Sequence, residues 1–299
     1  MPSSKKYLIG CLIFPLLVAL AFFIGYRSVS KSMPATKIIP DGSWLVISPT
    51  GIIPEYSEIR QTNIFNLSTD SVEEICAKIL AAKEDRKIKG LILRPRFAQI
   101  SYAGISELGD AITDFKSSGK RVIAFGDMIG QRDYMISTLA DEIYMEPSAS
   151  AGIMLEGVNA SITFYKEMFD KLGIKMHVLQ TGDFKGFGEP FSQTSLSPGT
   201  LENYKKALGK RYDLIISFIA NNRNLANAAV KSIFEERPDY FLSSQQALDA
   251  KLVDGLVGRE KLFSTLGISE KQMISLSGYQ SSYATPGKKD KIAVVYLEG

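Results

Sequence analysis

The pattern of apolar and polar positions divides the chain into a long uncharged opening run and a series of short alternating segments. Tyr7 to Tyr26 reads YLIGCLIFPLLVALAFFIGY. It carries no charge over about twenty residues, the length that crosses a bilayer core. Pro15 sits mid-span, which membrane helices tolerate better than soluble ones. Lys5 and Lys6 precede the run and Arg27 and Lys31 follow it. The short basic stub favours an N-terminus left inside. The alternative is a cleaved signal peptide, whose apolar region is usually shorter, and no small-x-small site directly follows Tyr26. The expectation is a stub over 1–6, a membrane anchor over 7–26 and a polar tether over 27–40.

Beyond the tether, strand and helix patterns alternate. Trp44 to Ile47 is a short β-rich run, and the stretch from Pro54 to Asn66 is irregular. Asp70 to Asp85 predicts a helix, with Val72, Ile75, Cys76, Ile79 and Leu80 on one face. Ser71 followed by Glu74 is a capping-box pattern. Gly90 to Leu93 is a buried-strand candidate. Ile105, Leu108, Ile112 and Phe115 form the stripe of a second helix that stops near Gly119. Arg121 to Gly126 predicts a strand, Tyr134 to Leu139 a short helix, and Glu142 to Met145 a strand. Ile162 to Leu172 predicts a helix stopped by Gly173, Ile174 to Gln180 a strand, and Pro198 to Asn221 a long helix. Short apolar strands separated by helices imply an α/β fold with a largely parallel sheet and right-handed crossovers.

The order breaks near the end. Ser277 to Lys291 is polar, with Gly278, Pro286 and Gly287, and reads as a linker. Ile292 to Leu297 is a continuous apolar run, the signature of a buried strand. Either a second domain begins there, the simpler account, or this strand completes the sheet of the first. The expected division is therefore a core domain over 41–276, a linker over 277–291, and over 292–299 the first strand of a further domain.

Composition narrows the chemistry. The net charge is +3, and Lys and Arg are scattered. Without a basic patch interleaved with aromatics, nucleic acid is not an expected partner. The two cysteines, Cys11 and Cys76, fall on an apolar run and a buried helix stripe, so neither a disulfide nor a zinc site is expected. The one histidine, His177, lies in IKMHVLQ. Alternation there turns it away from Met176 and Val178, and the chain has no G-x-S-x-G elbow to accompany it. His177 therefore reads as a structural strand residue. HExxH, P-loop and G-x-G-x-x-G patterns are absent as well. No cofactor or metal is expected.

The most distinctive segment is Gly182 to Phe191, GDFKGFGEPF. It places Lys185 between aromatic residues and glycines. A lysine withdrawn from water loses its proton more readily, and a neutral amine can act as general base towards a serine hydroxyl. Bringing a lysine from about 10.4 to near 7 requires roughly 4–5 kcal/mol against the charged form. A solvated lysine in a glycine-rich turn is the plainer alternative.

TGDFKGFGEPF, followed by Ser197-Pro198 and a long amphipathic helix, resembles the lysine-bearing motif of the protease IV (signal peptide peptidase) family. Tyr134 to Pro147 and Ala247 to Val257 resemble two further family segments, in the same order. The resemblance covers roughly Trp44 to the C-terminus and is to the first half of the long, tandem type. It implies a crotonase-like (ClpP-type) spiral of ββα units, usually oligomeric. It also implies a Ser–Lys dyad in which Lys185 is the catalytic base. It departs from short members where their nucleophilic serine stands: Gln131, Arg132 and Asp133 occupy that frame. In long members the second half supplies the serine, so the expectation is that this chain supplies the lysine and lacks the serine. Ser137 and Ser148 fall at positions that look structural.

The expected activity is that of a membrane-anchored serine peptidase degrading cleaved signal peptides, the chain alone being inactive. It is expected to sit in the bacterial inner membrane through 7–26, with its soluble part facing the periplasm or outside, as a homo-oligomer. The alternative is a catalytically inactive crotonase-like membrane protein acting as an oligomerisation or interaction module. An acyl-CoA enzyme of the wider crotonase group is a third reading, favoured by no residue pattern here.

Overall fold

The computed structural model describes residues 39–56, 70–179, 182, 185–237 and 239–279. The anchor expected over 7–26 and the strand expected over 292–299 lie outside them. Among the described residues no helix is long and apolar enough to cross a membrane. The chain divides into two compact units, Met1–Ile39 and Pro40–Gly299; the second contains all the elements below.

That unit is built by repetition. Strand β1 (Ser43–Ile47), strand β2 (Thr50–Ile52) and helix α1 (Val72–Glu84) form one ββα set. Strands β3 (Ile88–Leu93) and β4 (Arg96–Gln99) with helix α2 (Tyr102–Lys116) form the next. Strands β5 (Arg121–Gly126) and β6 (Met128–Ile129) with helix α3 (Gln131–Ser137) form the third, and β7 (Glu142–Met145) and β8 (Gly152–Met154) start a fourth. The first strand of each set enters one six-stranded sheet. The strand order is β10 (Gly255–Leu256), β7, β5, β3, β1 and β11 (Met273–Ser275), with every pairing parallel. The second strands pair separately: β2 with β4, and β6 with β8, which also pairs antiparallel with β9 (Phe241–Ser243). The expected α/β class, parallel sheet and ββα repetition are thus observed.

A parallel sheet covered on both faces needs unbroken apolar strands. Leu45, Ile47, Leu91, Ile92, Leu93, Val122, Ile123 and Ala124 are all fully buried. Gly90 is fixed by packing, since a Cβ there would lie 2.4 Å from the Trp44 ring. The predicted capping box is present: Glu74 N–H donates to Ser71 Oγ, and Ser71 N–H to Glu74 Oε2.

Three expectations need correcting: the strand over 174–180, the strand position of His177 and the helix over 162–172. Of the strand read over Ile174 to Gln180, the described residues up to Leu179 have no strand pairing, and Ile174, Met176 and Leu179 stand in solvent, Leu179 fully exposed. Apolar β-rich composition makes a strand only where another strand supplies hydrogen bonds, and none is paired here. His177 is therefore an exposed loop residue. The helix expected over 162–172 is confined to α4 (Lys166–Lys171). At the other end, packing continues through Leu276 into Tyr279, which is buried and whose hydroxyl donates to Asp85 Oδ2 at 3.2 Å.

Candidate active site

Lys185 precedes a single 3-10 turn, Gly186–Gly188, that runs into the short helix α5 (Glu189–Ser192). Helix α6 (Pro198–Arg223) follows, with Ser197 as its N-cap. The glycines are required by close approach. A Cβ on Gly186 would lie 2.2 Å from Thr200 Oγ1, and one on Gly188 would lie 2.2 Å from Val178 Cγ1. The turn is thus pressed onto the first turn of α6 on one side and onto Val178 on the other.

Glu189 holds the junction together. It is a buried carboxylate, and such groups persist only when hydrogen-bonded. Its Oε1 accepts from Ser197 Oγ at 2.6 Å and Thr200 Oγ1 at 2.7 Å, and its Oε2 accepts from Ser197 N–H at 2.8 Å. Burial pushes this carboxyl upward, but the Ser197 and Thr200 hydrogen bonds outweigh it and hold it below the usual glutamate range. Next to it, the Phe191 ring stacks on Tyr165 at 5.8 Å and Phe169 at 6.4 Å, and Tyr165 N–H donates to Pro190 O. The base of the lysine turn is therefore fixed.

The turn itself is open. Lys185 is exposed, and Phe187, expected to shield its amine, is 91% exposed. Phe184, the other expected shield, lies outside the described residues.

The frame expected to lack a nucleophile is occupied by structural residues. Gln131 opens α3 and clamps a neighbouring loop with both ends of its amide. Its Oε1 accepts from Gly157 N–H at 2.7 Å, and its Nε2 donates to Gly157 O at 3.0 Å. Asp133 is buried and accepts three backbone N–H groups, from Phe97 at 2.7 Å, Ala98 at 2.9 Å and Gly130 at 3.3 Å. Burial pushes its carboxyl up while those three donors pull it down, and burial prevails. Phe97 has a left-handed backbone, φ 51°, a conformation costly for a non-glycine residue. The two N–H bonds from Phe97 and Ala98 to Asp133 hold it there.

Ser137 is buried and donates to the Asp133 carbonyl one turn back, as helical serines do. Ser148 is exposed, with only Ser150 Oγ at 3.4 Å. Among the described residues neither is hydrogen-bonded to a basic side chain. Among the described residues no group of His, Cys, Asp and Glu could hold a metal ion. Cys76 is buried in α1, and its thiol is pushed up to about 12 by burial and by Glu107 and Asp110. It is an inert packing residue.

The profile of peptidase family S49 matches residues 114–272, which hold Lys185, Glu189 and the Gln131 frame. The chain belongs to this family. Among curated S49 relatives, "Protease 4" of Salmonella typhi is 26% identical over 96% of this chain and 49% of its own length. "Protease 4" of Haemophilus influenzae is 32% identical over 52% of this chain and 25% of its own. "Serine protease SPPA, chloroplastic" of Arabidopsis thaliana is 27% identical over 55% of this chain and 23% of its own. The chain thus spans half or less of each of these relatives. Among solved structures, an enoyl-CoA hydratase of Polaromonas sp. JS666 aligns with 72% of this chain and 74% of its own at 13% identity, with a TM-score of 0.35, too low to decide anything.

Sequence reading located the lysine turn but missed Glu189 as its anchor and Asp133 as the holder of Phe97. The signal for Glu189 was present: an acidic residue eight positions before a Ser-Pro helix start.

Proposed function

We propose that this chain is the lysine-bearing half of an S49 serine peptidase working through a Ser–Lys dyad. Lys185 is its general base, and the serine comes from chain outside these residues. The observation that carries this reading is the frame at Gln131: where short family members place a nucleophile, an amide is locked on both sides to Gly157. A group committed to two backbone hydrogen bonds, with no ionisable hydrogen, cannot attack a carbonyl. Lys185, by contrast, leaves a fixed turn with its amine free to meet a partner. The water exclusion that a lysine base needs must then come from the serine-bearing half and from bound peptide, because Lys185 and Phe187 are open to solvent.

In this reading residues 7–26 anchor the protein in the bacterial inner membrane, the soluble unit faces the periplasm or outside, and cleaved signal peptides are the substrates. The protein works as a homo-oligomer. The test is labelling by a serine-directed fluorophosphonate probe. The chain alone is expected to stay unlabelled, and a protein extended by the serine-bearing half to label and to cleave peptides. Strong labelling of the chain alone refutes the division of the dyad.

A second reading, a non-catalytic interaction module, is favoured by one observation. Met168, Leu172, Ile174, Met176, Leu179 and Phe187 stand exposed within a short stretch of sequence, more apolar surface than a free-standing loop ordinarily shows. An extended protein that assembles yet neither labels nor cleaves would select this reading.

A further inference from the structure

Gln131 also lines a cavity of about 390 Å³ whose lining includes Tyr102, Arg132, Glu156, Val158, Asn159 and Arg211. Three separate elements bring two cations to one aromatic ring. Tyr102 opens α2, Arg132 lies in the first turn of α3, and Arg211 lies within α6. The Arg132 guanidinium is 5.5 Å from the Tyr102 ring centre and that of Arg211 is 5.8 Å from it. Ring stacking offsets part of the repulsion between two like charges. Neither arginine forms an ion pair with a described residue. The nearby acids do not neutralise them: Asp133 is committed to three backbone N–H groups, and Glu156 lines the cavity without pairing to either arginine. Two planar donor forks converging on one cavity match a carboxylate.

The cavity wall supplies a second element of recognition. From Glu156 the chain runs without helix or strand, and the backbone groups of Val158 and Asn159 make no hydrogen bond to a described residue. Gly157, the residue before them, is pinned by Gln131. A fixed segment with unpaired main-chain groups is an edge along which an extended peptide can pair.

We propose that this cleft captures the free C-terminal carboxylate of a peptide. Arg132 and Arg211 hold the carboxylate, and the main chain at Val158 and Asn159 pairs with the residues before it. The proposal rests on the peptidase reading above and adds how the end of such a cleaved peptide would be held. Cutting an amide bond creates a carboxylate at the new chain end, whereas an uncut precursor carries an amide there. The cleft thereby accepts the new end of a released fragment and not the same position in the uncut chain, without reading its sequence. With Gln131 in its wall in place of a nucleophile, it holds the chain end and does not cleave.

The test is fluorescence anisotropy on the full chain with an apolar peptide labelled at its N-terminus, in free-acid and C-terminally amidated forms. The free acid is expected to bind about tenfold or more tighter, the range of one charge-assisted contact. The Arg132→Gln/Arg211→Gln double variant should lose that preference with an unchanged circular dichroism spectrum, and Arg132→Lys should retain only part of it. Equal binding of acid and amide, or a preference surviving in the double variant, overturns the site. So does displacement of the peptide by inorganic phosphate at lower concentration than by acetate. Cleavage of a peptide blocked at both ends is assayed separately on the extended protein. Loss of that cleavage with the acid preference intact counts against the peptidase and leaves the site standing.

Discussion

Replacing Glu189 by Gln changes one oxygen into an amide nitrogen and leaves volume almost untouched. In the native junction Oε1 receives both hydroxyls, from Ser197 and Thr200, while Oε2 receives Ser197 N–H. A glutamine can keep Oε1 on the hydroxyls, but its NH2 then faces the Ser197 N–H, donor against donor. One charge-assisted bond is lost and one donor at the α6 N-terminus is left without an acceptor. Those losses together predict about 2–4 kcal/mol of destabilisation. At roughly 2–4 °C per kcal/mol for a domain of this class, Tm should fall by several degrees.

The acid limb of stability should change too. The Glu189 carboxyl is held below its usual range, so between the unfolded and folded values the unfolded state binds more protons. Its contribution is present above the unfolded glutamate value, about 4.3, and is lost as pH falls through the lower folded value. The glutamine variant lacks this group, so its stability should depend less steeply on pH in that window. Because Lys185 is four residues away across a single turn, turnover of the extended protein should also drop, by about tenfold or more. Thermal melts at pH 7 and across the acid range, with a peptide-cleavage assay, measure all three. A variant melting within a degree of the parent with an unaltered acid limb would refute the role given to the junction.

Lys185→Ala should abolish turnover of the extended protein while Tm stays within about 0.5 kcal/mol equivalent of the parent, because the side chain is exposed. Lys185→Arg should fail equally, since a guanidinium does not give up its proton in the working range. Gly186→Ala places a methyl 2.2 Å from Thr200 Oγ1; it should lower Tm, by about 1–3 kcal/mol equivalent, and depress kcat more than it raises KM. Tyr134→Phe removes the buried hydroxyl that donates to Leu252 O at 2.7 Å and should cost about 1–3 kcal/mol in denaturant unfolding, with the Leu252 carbonyl left unpaired.

Strands β1, β3 and β5 were legible because each holds a run of apolar residues buried on both faces: Leu45 with Ile47, Leu91 to Leu93, Val122 to Ala124; β10 and β11, short and only partly buried, were not. Nor were the second strands of the ββα sets. Strand β2 is three residues, TGI, all exposed, and β6 is two; so few residues carry no periodicity, and only the repeated fold gives them neighbours. Ile174 to Leu179 failed in the opposite sense, with the composition of a strand and no partner. The candidate site divides similarly. The turn that carries Lys185 could be picked out from its local motif. Glu189, Ser197 and Thr200 each stand in that sequence, but that they meet at one carboxylate follows from how α5 turns into α6. Asp133 and Phe97 are far apart in sequence, and their bond follows only from packing α3 beneath β4.

Strand β11 pairs with β1, so Met273 lies beside Trp44, and the sheet cannot be completed during synthesis until almost the whole described unit has left the ribosome. Until then the outer edge of β1 offers unpaired main-chain groups and the underside of the Trp44 ring to any passing chain, the sort of exposure that holdase chaperones guard. The sole tryptophan of the chain packs with Leu262, Phe263 and Ile268, from the last segments of the described residues to arrive. Its emission is therefore a built-in clock for the final act of folding. In stopped-flow refolding its shift to shorter wavelength should lag the far-ultraviolet ellipticity, since helices form from near neighbours while this strand waits for a distant one.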